Sequence, residues 1–451
     1  MSSITVNPAP ADAAAKPAIQ KETTVGNYFV SNYPPYSFWK PEALPDYQAA
    51  LRRPPLPGTP LGLYLHIPFC RKRCHFCYFR VYTDKDAAAI RNYVDATLRE
   101  LEFYAAQPFI AGRKPNFVYF GGGTPSYLSV DQLRHLTGRM QELLPWDEVE
   151  EVTFEAEPGT LTDHKLKAIR EMGVTRLSLG VENFDDRVLE INGRAHHSRE
   201  IARAYAYARE IGFPQINIDL IAGMVEETEG NWRECVRKTL ELAPDSVTIY
   251  QMEVPYNTTI YRQMKTEGKL VAPVADWETK RGWVRYAFEE FEKAGYSVAS
   301  AYTAVRNREK TRFVYRDRLW AGADLVGLGV ASFGHIGGTH YQNQHDFDPY
   351  LEAVNAGGPP VHRAQTPSAD ERLIREFILQ LKLGRTSAAY FQTKFGIDPR
   401  VRFAVPLETL RNWGFASVEG DAITLNREGL LQVDRLLHEF FLPEHRNVRY
   451  A

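Results

Sequence analysis

The sequence predicts an α/β protein, a partial (β/α)6 barrel of the TIM type followed by a C-terminal winged-helix-like cap domain. Three observations carry that expectation. From Leu61 to about Ala294, short apolar runs alternate with longer amphipathic ones through six strand-then-helix units. Such units give parallel strands joined by right-handed crossovers. Residues able to do chemistry collect just after the predicted strands, at the ends where barrels and doubly wound sheets bind their ligands. Beyond residue 366 the pattern turns to helices around an apparent β-wing.

The predicted strands span 63–66, 117–120, 151–157, 176–180, 216–221 and 246–251. The helices between and after them span 86–106, 129–144, 162–172, 185–191, 198–211, 229–242 and 277–294. Ser129 is a natural N-cap, and Gly173 ends the helix before it. In the cap, helices are predicted over 370–383 and 407–413, a wing over 415–425 and a final helix over 427–439. The expected organisation is a disordered tail (1–27), an N-terminal segment covering the substrate (28–60), the barrel (61–300), an extension or linker (301–365) and the helical, winged-helix-like domain (366–451). The cap is expected to pack over the barrel mouth without binding anything itself.

Composition narrows the function classes. Of 451 residues, 44% are hydrophobic and 24% charged, with a formal net charge of -2, ordinary for a globular protein. No basic footprint points to nucleic acid. No run of eighteen apolar residues exists, so no transmembrane helix is expected, and the Ala-, Pro- and Lys-rich start reads as a tail rather than a signal peptide. A cytoplasmic protein is expected.

Cys70, Cys74 and Cys77 stand within eight residues, and the chain has one other cysteine, Cys235. Cys235 sits in a helical pattern and reads as an inert buried thiol. At C-x3-C-x2-C spacing, three thiolates can hold three irons of a cubane cluster and leave the fourth open. Zinc is the rival, because soft thiolates suit both, and His66 or His75 could complete a Cys3His site. Disulfides are disfavoured in a chain without secretory features. The Gly121-Gly122-Gly123-Thr124 turn follows the second predicted strand and allows close backbone approach to a ligand. Glu155 and Glu157 share one face at the end of the third. Glu182 ends the fourth, Arg194 follows a nearby turn, and Asp219 ends the fifth. Carboxylates suit ribose hydroxyls and an Arg suits a carboxylate, so these groups form a site for an amino acid joined to a nucleoside.

These phrases resemble the radical S-adenosylmethionine (SAM) superfamily, and within it the group of oxygen-independent coproporphyrinogen III oxidases. The matching stretches are Tyr-Leu-His-Ile-Pro-Phe-Cys at 64–70, Gly-Gly-Gly-Thr-Pro at 121–125, Glu-Ala-Glu-Pro at 155–158, Leu-Ser-Leu-Gly-Val-Glu at 177–182, Asn-Ile-Asp-Leu-Ile-Ala-Gly at 217–223 and Gly-Leu-Gly-Val-Ala-Ser at 327–332. The resemblance implies that Cys70, Cys74 and Cys77 ligate a [4Fe–4S] cluster whose open iron takes the SAM amino and carboxylate groups. Tyr64 and Phe76 would flank the cofactor. Gly122, Gly123, Thr124, Glu155 and Arg194 would hold its methionyl part, Glu182 and Asp219 its ribose, and Phe333 would close on adenine. One SAM, or two, is implied. The implied chemistry is reductive cleavage of SAM to a 5′-deoxyadenosyl radical and oxidative decarboxylation of coproporphyrinogen III in porphyrin biosynthesis, with no catalytic residue beyond cluster and SAM. A flavodoxin- or ferredoxin-type electron donor and a monomeric, cytoplasmic enzyme follow from the same likeness.

Three departures put the substrate in question. Phe79 stands where the oxidase has a further Cys, Glu182 replaces a usual Gln, and the sixth strand ends in Gln251-Met252-Glu253. Two other activities therefore compete with decarboxylation. One is methyl or methylene transfer to another conjugated substrate with two SAM. The other is haem chaperoning without radical conversion, whose usual His-Asn-x-x-Tyr-Trp is here Tyr315-Arg-Asp-Arg-Leu-Trp320. Glu253, Arg446 and Arg449 are the substrate-contact candidates, the two arginines for substrate carboxylates.

Overall fold

The computed structural model describes residues 28–267 and 274–446. The predicted tail and Arg449 lie outside these residues. Six parallel strands follow one another as expected: β1 (Leu61–Ile67), β2 (Phe117–Gly122), β3 (Glu151–Ala156), β4 (Arg176–Glu182), β5 (Gln215–Ala222) and β6 (Ser246–Gln251). Leu61, Leu63, Leu65 and Ile67 share one face of β1, all at most 1% exposed, and pack in the apolar layer beneath the covering helices. The connecting helices obey local signals. Ser129 caps Val130–Leu143 in a reciprocal capping box with Gln132, and Gly212, at φ 82°, ends Ser198–Ile211 in a left-handed turn.

The remaining strands are β7 (Ser297–Val298), β8 (Thr303–Val305), β9 (Asp324–Leu328), β10 (Phe333–Ile336), β11 (Thr339–Asn343), β12 (Val361–Gln365), and a small sheet of β13 (Arg385–Ser387), β14 (Ala416–Glu419) and β15 (Ala422–Leu425). The large sheet runs β12-β11-β10-β9-β1-β2-β3-β4-β5-β6-β8-β7, and its two edge strands do not pair, so it stays open. β9 lies parallel to β1 and adds a seventh strand to the parallel row. The stretch expected to extend or link the barrel thus supplies five strands, β8 to β12. No strand–helix rhythm announces them, because four are antiparallel additions at the sheet edges. β9 fits where it does through Gly327, where a Cβ would stand 2.0 Å from the Phe333 carbonyl oxygen.

The C-terminal domain joins helices to the three-stranded antiparallel sheet β13-β15-β14. The final helix departs from expectation. It breaks at Gln432 (φ -129°) into Arg427–Leu431 and Val433–Leu437. The break brings Asp434 to the N-terminal strap, where it accepts from the Val30 amide (2.8 Å) and pairs with the fully buried Lys382 (2.8 Å). Lys382 also donates to the Val30 carbonyl (2.6 Å) and lies 3.7 Å from the Phe29 ring centroid. Val30 and Tyr33 share one apolar cluster with Leu373, Phe377 and Leu437 of this domain. The strap therefore packs as part of the C-terminal core. Among the described residues no helix is long and apolar enough to cross a membrane.

Glu100 locks the helix Ala87–Ala105 to the sheet beyond β9. Its buried carboxyl accepts from the Gly329 amide (2.9 Å), Asn343 Nδ2 (2.6 Å) and the Tyr350 hydroxyl (2.7 Å). Burial pushes this carboxyl up to about 7. Glu100→Ala leaves the Gly329 amide without an acceptor, while Asn343 Nδ2 keeps Gly329 O and Ser332 and the Tyr350 hydroxyl keeps Thr97, and is expected to cost about 2 kcal/mol in urea unfolding. Because the folded-state value exceeds the ordinary 4.5, the contribution linked to this proton is full below the unfolded value and lost as pH rises through about 7. The stability difference between wild type and Glu100→Gln should shift across that window.

Candidate active site

The cysteine loop leaves β1 and is clamped on several sides by backbone hydrogen bonds. Cys70 N donates to Tyr82 O (3.1 Å), Tyr82 N to Pro68 O (2.7 Å), His75 N to Asn192 O (2.9 Å) and Ile260 N to His75 O (3.1 Å). The glycine turn after β2 meets it directly. Gly123 N donates to Ile67 O (2.8 Å) and Thr124 N to Phe69 O (2.9 Å). A Cβ on Gly123 would stand 2.9 Å from the Ile67 oxygen and 3.0 Å from Cys70 Sγ, and one on Gly122 (φ 109°) would strike the His66 ring.

All four cysteines are free thiols. Thr124 Oγ1 donates to Cys70 Sγ (3.3 Å) and Arg194 Nη1 to Cys74 Sγ (3.2 Å). Burial pushes the Cys70 and Cys77 thiols up, to about 11 and about 12, so they take a metal only by giving up protons. Neither histidine considered for a zinc site joins them. His66 Nδ1 pairs with the Tyr64 hydroxyl (3.1 Å), and His75 Nδ1 with the Ile191 carbonyl (2.8 Å). Among the described residues no three His, Cys, Asp or Glu side chains gather around one metal ion.

The loop, the glycine turn and the strand ends line one cavity of about 400 Å³. It brings together Cys70, Cys74, Cys77, Phe76, Gly122, Gly123, Thr124, Glu155, Glu182, Arg194, Asp219 and Glu253. Arg194 Nη2 donates to Gly180 O (2.6 Å) and lies 3.7 Å from Glu182. Burial opposes its charge, yet Cys74, Glu182 and Glu157 hold the guanidinium above its usual range. Glu182 sits at φ 66°, where β4 shifts register against β5, a backbone strain typical of functional positions. Burial pushes Glu155 and Glu182 each up to about 7. Glu155 accepts from the Tyr119 hydroxyl (2.6 Å) and the Gly122 amide (3.2 Å), while Asp219 accepts from Ser178 (2.8 Å) and Asn217 (2.9 Å). Glu157 turns instead to His196 (3.0 Å) and, despite burial, that bond and nearby cations hold it below the carboxylate range.

Three expected residues stand elsewhere. Tyr64 does not line the cavity but stacks behind Tyr119 (5.9 Å). Phe333 packs against Tyr36 (4.4 Å) and Trp39 (5.5 Å) of the strap, because β10 turns back from β9 rather than over the strand ends. Arg446 donates to the Phe441 and Glu439 carbonyls and is not in the cavity wall. Glu253 is in the wall. It accepts from the Phe29 amide (2.6 Å), and burial pushes it up to about 8. Sequence reasoning missed Tyr119, Arg176, Ser178, Tyr250, Phe29 and Phe313. Counting back by twos from Gly180 along β4 would have found Ser178 and Arg176; no local pattern carried Phe29 or Phe313 to the site.

Residues 64–239 match the family model of the Radical SAM superfamily. A heme chaperone (HemW) of Bacillus subtilis is 29% identical over 383 residues, covering 82% of this chain and 96% of its own. An oxygen-independent coproporphyrinogen III oxidase of Pseudomonas aeruginosa is 28% identical over 426 residues, covering 90% and 91%. Among solved structures, coproporphyrinogen III oxidase (HemN) of Escherichia coli, a radical SAM enzyme, superposes with a TM-score of 0.79 at 25% identity, over 92% of this chain and 96% of that one. The resemblance to the radical SAM superfamily thus holds. Within it the chain is similar to the oxygen-independent coproporphyrinogen III oxidase group. That superfamily implies a [4Fe–4S] cluster and SAM. The residues present fit them: the free thiols receive hydrogen bonds from a hydroxyl and a guanidinium, beside a turn that has no room for a Cβ.

Two outcomes follow. Gly123→Ala should lower iron and sulfide content after anaerobic reconstitution while leaving the far-ultraviolet circular dichroism unchanged. Because ligation displaces protons from the thiols, iron loading at fixed iron and sulfide should fall as the pH is lowered, measured by visible absorbance.

Proposed function

We propose that this chain is a radical SAM enzyme that acts on a small molecule, with oxygen-independent oxidative decarboxylation of coproporphyrinogen III as the leading activity. The observation that carries the reading is the convergence of three free thiols, a glycine cradle and the Arg194–Glu182 pair on one cavity at the strand ends. When bound, the reduced cluster and SAM supply a 5′-deoxyadenosyl radical able to take a hydrogen atom from carbon. The chain's own work is to hold and to exclude. Cys70, Cys74 and Cys77 would ligate the cluster. The amides and carbonyls around Gly122 and Gly123 would hold the amino-acid end of SAM, with Arg194 as partner for its carboxylate, and Glu182 and Asp219 would accept from the ribose hydroxyls. Phe76, Phe29 and the aromatic wall of Tyr78 and Tyr250 would keep water from the reacting carbon. No side chain needs to act as general base. Each SAM cleaved would draw one electron from a flavodoxin- or ferredoxin-type donor, and each carboxyl lost as carbon dioxide would release one electron to an acceptor, in a reducing, cytoplasmic setting.

A second reading is haem chaperoning, favoured by the likeness to the Bacillus subtilis protein. Methyl or methylene transfer with two SAM is the third, favoured by the acidic wall at Glu253, which changes the surface offered to a substrate. One experiment separates them. The reconstituted, reduced protein is incubated anaerobically with SAM and coproporphyrinogen III, and products are read by mass spectrometry. Loss of two carboxyl groups with 5′-deoxyadenosine supports decarboxylation. S-adenosylhomocysteine with a mass gain in an added acceptor supports transfer. Stoichiometric haem binding without SAM cleavage overturns the enzymatic reading. Cys74→Ala should abolish 5′-deoxyadenosine formation.

A further inference from the structure

We infer that the deep arm of the cavity is a second ligand subsite, below the cofactor layer, where Arg176 receives one carboxylate of the substrate. The inference rests on the reading above and names a residue that the cluster and SAM leave unused. Arg176 opens β4, four residues before Gly180, whose carbonyl anchors Arg194. At roughly 3.3 Å per residue, its backbone lies about 13 Å further into the barrel. The residue is 2% exposed, yet it lines the cavity.

Its guanidinium lies 4.1 Å from the centroid of the Phe313 ring, a stacked position that suits arginine. Among the described residues no hydrogen bond or ion pair engages that guanidinium. The carboxyls facing it from β3 and β5 are committed elsewhere. Glu151 accepts from the amides of Val314 (3.0 Å) and Tyr315 (3.2 Å) and from Thr153 (3.0 Å). Glu155 is taken by Tyr119 and Gly122, and Asp219 by Ser178 and Asn217. None of these three carboxyls makes a hydrogen bond or ion pair with the guanidinium.

With no protein partner, the guanidinium's donors are left for whatever occupies the cavity that it lines. The planar fork of arginine matches a carboxylate through two parallel bonds. Phe313 packs on the guanidinium and Tyr119 stands level with Arg176 across β3, and both supply flat apolar surface there. A ligand that fills this space therefore carries an aromatic ring with a carboxylate arm. A single guanidinium at the floor selects one such arm, not several.

The test uses the reconstituted protein with 3-phenylpropionate and its uncharged counterpart, 3-phenylpropionamide, as probes, with binding read by ligand-observed NMR titration. The acid should bind at least tenfold more tightly than the amide to wild type. That preference should vanish in Arg176→Met and fall severalfold in Arg176→Lys, which keeps the charge but loses the fork. Equal binding of acid and amide, no binding of either, or a preference that survives Arg176→Met overturns the proposal. If Arg176→Met does not fold, an undiminished preference in Arg176→Lys does the same. The readout needs no turnover, so its failure is distinct from a failure to cleave SAM.

Discussion

Two backbone hydrogen bonds hold the active end of this protein together: Gly123 N to Ile67 O and Thr124 N to Phe69 O. They fasten the turn after β2 to the start of the cysteine loop after β1. Without them the loop would be free to swing, and its thiols would have no fixed relation to the strand ends. They form only because Gly123 carries no side chain: a Cβ would meet both the Ile67 oxygen and Cys70 Sγ. The parallel pairing of β1 with β2 brings the two segments level, with Ile67 opposite Gly122. Register in the sheet thus becomes geometry at the site.

Around that junction the barrel interior is polar where a packing core would be apolar. Glu155, Asp219, Glu182, Arg194 and Arg176 all face one cavity. Such a concentration of buried charge is unfavourable in itself. It is tolerated because most carboxylates receive hydrogen bonds and the two arginines lie among them. Burial still leaves Glu155 and Glu182 near 7. The stability for this arrangement comes from elsewhere: a continuous apolar layer between strands and helices, and a second cluster joining the strap to the C-terminal domain. The strap bridges the two regions. Phe29 forms part of the cavity wall and its amide holds Glu253, while Val30, the next residue, is bound by Asp434 and Lys382. The cap is therefore coupled to the cavity wall at Glu253 through one short stretch of chain.

The sequence by itself determined the six parallel strands, most of their helices and the residues beside the proposed cluster. These follow from local rules: alternation in strands, caps on helices, and motifs short enough that neighbours in sequence are neighbours in space. Cys70, Cys74 and Cys77, Gly122 to Thr124, and Glu182 were legible for that reason. Tertiary structure decided what depends on long-range pairing. β9 beside β1 and the strands β10 to β12 at the edge carry no strand–helix rhythm, and they moved Phe333 away from the cavity and under the strap. The wall of Phe29, Phe313 and Glu253 is assembled from segments more than two hundred residues apart at its extremes. Arg176 was visible as a strand residue, but its unmatched guanidinium could be seen only once every neighbouring carboxyl had been given its own partner. Local sequence encodes direction and periodicity; which buried groups remain unsatisfied is a property of the whole packed interior.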